Sequence, residues 1–91
     1  MNHITASENW LFEIKVVRAI RTNEYGKPYA GIASITIVDG EVHVEGLMLI
    51  NKNKSDIKEI EQHIKYQLGF NEYYFSRYKN GEKRIIKRVI K

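Results

Sequence analysis

Two dipeptides, Asp39-Gly40 and Asn80-Gly81, constrain the fold of this chain more than any other feature. A two-residue type I′ hairpin loop needs positive φ at both central residues, and Asp-Gly or Asn-Gly meets that need at least steric cost. Each dipeptide stands between segments that can pair as antiparallel strands. A loop at Asp39-Gly40 pairs Val38 with Glu41, Ile37 with Val42, Thr36 with His43, and Ile35 with Val44. Alternation then puts Ile35, Ile37, Val42 and Val44 on one face and Ser34, Thr36, Glu41, His43 and Glu45 on the other. One dry and one wet face is the pattern of a hairpin in a two-layer domain. Beyond Glu45 the alternation stops at Gly46-Leu47-Met48-Leu49-Ile50. Gly46 marks a bulge there, and the apolar run reads as buried on both faces.

Upstream, Phe12, Ile14 and Val16 alternate with Glu13 and Lys15, so 10–21 reads as a strand. Trp10, Ile14 and Val17 also fit helical spacing, which keeps a helix as the competing reading. Asn23, Gly26 and Pro28 make 22–29 a loop. The clear helix is Ser55–Leu68, where Ile57, Ile60, Ile64 and Leu68 form one stripe. Ser55 suits the N-cap, Asp56 the positive N-terminal end and Gly69 the C′ position. Glu59–His63 and Glu61–Lys65 are spaced to pair along it.

The segment Phe70–Lys91 is aromatic and then basic. Phe70, Tyr73, Tyr74, Phe75 and Tyr78 interleave with or precede Arg77, Lys79, Lys83, Arg84, Lys87, Arg88 and Lys91. Only Glu72 and Glu82 oppose these seven cations, so the segment carries +5 against −1 for the rest of the chain, and the net charge of +4 is a property of this tail. The aromatics favour a strand. Glu82–Lys91 is either a second strand or a helix with Ile85, Ile86, Val89 and Ile90 on one arc. The turn dipeptide and the aromatic partner strand agree with each other, which favours the hairpin. The resulting class is α+β: a mainly antiparallel sheet with one helix packed on it, in the order β-β-β-α-β-β.

Ninety-one residues make a single domain. The chain has no Cys, hence no disulfide, thiolate chemistry or Cys-based zinc site. Its longest apolar run is far too short to span a bilayer, and no secretory signal opens the sequence. The expectation is a cytoplasmic protein with no membrane partner. His3, His43 and His63 fall on separate elements, and no spacing matches a metal site. Met1-Asn2-His3 has the form of a terminal copper or nickel tripeptide but reads as a frayed terminus. His43 between Glu41 and Glu45 has the residue types of an acid–base site. No nucleophile or oxyanion donor accompanies it, so a solvated strand face is the simpler reading. The glycines assemble no phosphate-cradling loop, and no cofactor is expected.

What remains is the aromatic-basic tail. Tyr and Phe on a sheet face stack on unpaired bases while Arg and Lys follow phosphates. The candidate residues are Tyr73, Arg77, Tyr78, Lys83, Arg84, Lys87 and Arg88, and the partner is nucleic acid or an acidic protein surface. In the hairpin register Tyr73, Phe75, Arg77, Arg84, Ile86 and Arg88 share one face. Tyr74, Tyr78, Lys83, Ile85, Lys87 and Val89 share the other. One face must cover the core, so the alternative is that the aromatics pack inside and the cations solubilise an edge.

From Gly26 to about Gly81 the layout also resembles part of the GNAT acetyltransferase fold. GKPYAGIASITIVDGEVHVEGLMLI is similar to that family's central hairpin, and a helix ending in LGF and the aromatic strand YYFSRY follow it. The family's R/Q-x-x-G-x-G/A loop, which holds the coenzyme A pyrophosphate, is replaced by the glycine-free NKNKSDI. The helix N-terminus with Lys52 or Lys54 is the matching phosphate position. The resemblance implies a degenerate acyltransferase fold. The residues themselves point to a small non-catalytic binding module.

Overall fold

The computed structural model describes residues 3–51 and 53–91. The metal-like tripeptide at the N-terminus and Lys52 therefore lie partly or wholly outside the described residues. Among these residues the elements are β1 (Ile4–Ala6), β2 (Leu11–Glu13), β3 (Val16–Arg21), β4 (Gly31–Val38), β5 (Glu41–Leu49), α1 (Ser55–His63), β6 (Glu72–Lys79) and β7 (Glu82–Val89). α1 runs on into a wider π-helical turn, Ile64–Leu68. Strands β3 to β7 form one sheet in sequence order, and β1 pairs with β2 in a separate ribbon. The sheet is antiparallel except between β5 and β6, which run parallel. Parallel neighbours need a crossover, and the helix supplies it. The α+β class is as expected, in a mixed sheet.

Both Asx-Gly loops form. Asp39 and Gly40 have φ of 50° and 76°, and Asn80 and Gly81 have 53° and 78°. Val38 pairs with Glu41 and Lys79 with Glu82. The last element is thus a strand. Gly46 lies at φ 63°. Ile32 pairs with Met48 and Ser34 with Glu45, so β5 carries one extra residue at the expected bulge.

Three expectations are corrected. The strand 10–21 is two strands: Ile14 N–H donates to the His3 carbonyl, whereas the Lys15 carbonyl accepts from Ile37 N–H. The backbone changes partner between these residues, which alternation of side chains does not reveal. The run after Gly46 is not buried on both faces, because Leu47, Met48 and Ile50 are exposed. The helix starts at Lys54 with no side-chain cap, so Ser55 is not the cap. Asp56 instead ties down the residue before the cap: its Oδ2 accepts from the Asn53 backbone N–H at 2.8 Å. It is buried and also receives Arg21 Nη1 at 2.8 Å. Arg21 further donates to the carbonyls of Ile50 and Asn51. The edge strand β3 thereby holds the start of the crossover.

At the other end the helix stops as expected at Gly69, whose φ of 83° is left-handed. Ile64 and Leu68 are buried, and Ile57 and Ile60 are half-buried. Ile60, Ile64 and Leu68 meet Ala33, Ile35, Ile37, Val42 and Val44 from the dry face, with Tyr73 and Ile90 closing the core. Burying a side chain such as Ile64 contributes roughly 1.5–3 kcal/mol. The opposite sheet face carries Ser34, Thr36, Glu41, His43 and Glu45, all exposed or half-buried.

Candidate macromolecular interface

The β6–β7 hairpin pairs over its whole length, from Glu72↔Val89 to Lys79↔Glu82. It joins the rest of the sheet through two register pairs alone, His43↔Tyr74 and Val44↔Phe75. Its base is anchored and its tip projects, with every residue of 77–85 exposed.

The base holds three of the seven candidates. Tyr73 is 4% exposed, so its ring belongs to the core and offers no stacking surface. Its hydroxyl donates to Glu61 Oε2 at 2.7 Å. Burial, then the hydrogen bond to Glu61, pushes the phenol well above its ordinary value. Arg88 Nε lies 3.6 Å from the same carboxylate. Glu61 thus turns to the sheet, not along the helix to Lys65. Lys87 lies 3.2 Å from Glu72 and is pushed up by the hydrogen bond to that carboxylate. Neighbouring rings are also engaged. Tyr74 stacks on His43 with centroids 5.2 Å apart, and Phe75 packs against the core.

The tip holds the other four, Arg77, Tyr78, Lys83 and Arg84. Arg77 and Arg84 are direct cross-strand neighbours on the helix side. Among the described residues no carboxylate lies within ion-pair distance of Arg77, Lys79, Lys83 or Arg84. Like charges opposed across a ladder cost stability. Tyr78 is 72% exposed on the other face. The candidates are therefore divided: Tyr73 lies in the core, Lys87 and Arg88 are exposed but stand beside carboxylates, and the cationic tip with its open tyrosine has none within ion-pair distance among the described residues.

Sequence reasoning missed what lies beside the tip. After Val44↔Phe75 the parallel strands part, and a cavity of about 430 Å³ opens between helix and sheet. Val44, Gly46, Leu47, Ile57, Phe75 and Ser76 line it, with Arg77 and Arg88 on its wall. The bulge at Gly46 was the available signal. A second cavity, about 420 Å³, lies on the other side of the helix along β3.

The acid–base reading of His43 gains no geometry. Its ring faces Tyr74, and no carboxylate lies within ion-pair distance of it among the described residues. Among these residues no three acidic, His or Cys side chains are placed to hold a metal ion. Among the described residues no helix is long and apolar enough to cross a membrane. No family model, curated protein or solved structure matches the chain.

Proposed function

We propose that the protein is a non-catalytic binding module that meets an acidic macromolecule through the tip of the β6–β7 hairpin. One observation carries this reading: Arg77, Lys79, Lys83 and Arg84 gather on a projecting ribbon without acidic partners among the described residues. Such a cluster attracts and steers an anionic surface. The aromatic half of a single-strand platform is weaker, since Tyr73, Tyr74 and Phe75 are engaged elsewhere. An acidic protein surface is therefore the favoured partner, and nucleic acid is the other outcome of the test.

The protein is purified without nuclease and titrated with polyglutamate and with labelled single-stranded and duplex DNA, at two salt concentrations. The same titrations follow for R77E/K79E/K83E/R84E. Polyglutamate binding that the reversal abolishes supports the reading. Duplex binding with a log–log salt slope of roughly −2.7 to −3.6, for three or four phosphate contacts, moves the partner to nucleic acid. Indifference of both polyanions to the reversal overturns the reading.

A second reading follows from the hairpin–helix–strand order of Gly31–Lys79, the order that the GNAT resemblance implies. Against it, the helix N-terminus already receives the internal carboxylate of Asp56. A calorimetric titration with acetyl-CoA decides: micromolar binding favours the degenerate acyltransferase fold, and none removes it.

A further inference from the structure

We propose that the opening between β5 and β6 receives an extended acidic segment of the partner, added as a strand along the free edge of β5. This rests on the reading of the tip as an acidic-partner site and names how that partner is held. β5 continues to Leu49 after its last pair with β6, and its other side is occupied by β4, as in Met48↔Ile32 and Leu49↔Gly31. β6 continues to Lys79, paired on its far side with β7. Two strand edges therefore face one another with no backbone partner between them among the described residues. A strand edge left unpaired is a template for another chain. Strand addition takes affinity from these backbone groups and selectivity from pockets for alternate side chains.

The pocket supplies that selectivity. Its floor is apolar, formed by Val44, Leu47, Ile57 and Phe75, and Arg77 stands on its wall with Arg84 across the ladder. Side chains two apart on a strand share a face. The segment that fits places an apolar side chain in the floor and a carboxylate two residues on, against Arg77 and Arg84. Glu61, which lies 3.6 Å from Arg88 of the same wall, is already engaged by Tyr73 and Arg88. Glu82 belongs to the tip beside Lys79.

The probe is a labelled ten-residue peptide with valine and glutamate alternating along one face and serine on the other. Two control peptides replace its central residues by proline or its glutamates by lysine. Saturable binding is expected, at least tenfold weaker for both controls and for the R77E/R84E variant. Amide shifts are expected at Gly46–Leu49 and Ser76–Tyr78 in the NMR spectrum. Equal binding of the proline peptide, or shifts confined to 79–84, overturns strand addition and leaves the charged tip as the site. Binding of polyglutamate or duplex without binding of the probe has the same meaning. Failure of every polyanion overturns both readings.

Discussion

At its base, the β6–β7 hairpin gives Tyr73, Lys87 and Arg88 an acidic partner each. At its tip, Arg77, Lys79, Lys83 and Arg84 have no carboxylate within ion-pair distance among the described residues, although Glu82 stands opposite Lys79 in the ladder. The two ends share one composition and one ladder. They differ because Glu61 of the helix and Glu72 of β6 reach the base, whereas β5 has parted from β6 before the tip. A count of cations therefore overstates the surface available to a partner. What a cation can do depends on which carboxylate the tertiary fold brings to it.

The comparison is broken most severely at Tyr73. Tyr73→Ala removes a buried ring and should cost about 3–5 kcal/mol in urea denaturation; a loss near zero would place the base of the hairpin outside the core. Tyr73→Phe keeps the ring and loses the hydrogen bond to a charged acceptor, for a smaller cost of about 1.5–3 kcal/mol.

The same residue sharpens the comparison through pH. Because the folded phenol is raised above its ordinary value of about 10, its stabilising effect is complete below that pH and is lost as pH climbs toward the folded value. Denaturation midpoints measured between pH 8 and 11 should fall at the alkaline end, and Tyr73→Phe should remove that part of the fall.

Gly81→Ala comes next. Its φ of 78° is left-handed, so a Cβ should cost roughly 1–2 kcal/mol through backbone strain, although no neighbouring atom crowds the site. The smallest effect is at the tip itself. Arg77→Ala with Arg84→Ala should change stability by no more than about 0.5 kcal/mol, with a gain if opposed charges strain the ladder. The same pair should weaken polyanion binding, read by fluorescence titration. A large loss of stability there would mean that tip and base are one anchored unit.

The sequence made the local parts of this fold legible and left the long-range ones hidden. Asp39-Gly40 and Asn80-Gly81 reveal their loops because the φ requirement falls on the residues themselves. The stripe ending at Leu68 and Gly69 reveals the helix for a similar reason. Nothing near Ile14 says that the backbone changes partner there, since His3 and Ile37 are remote in the chain. Nothing near Glu61 says that Tyr73 and Arg88 outcompete Lys65 for its carboxylate. For the candidate site, the basic tail was visible and its division was not. The parting of β5 and β6 depends on a pairing that ends after two residues, and only Gly46 hints at it.

Arg21 ties residues 29 to 35 positions away, at Ile50, Asn51 and Asp56, to the edge strand on which it stands. The first turn of the helix therefore waits on the docking of β3, which adds a non-local step to assembly and slows it. Once docked, edge strand and crossover are expected to open together, because Arg21 bonds to both. In hydrogen exchange the amides of Asn53 and of β3 should then report one common opening event, where a free helix end would fray alone.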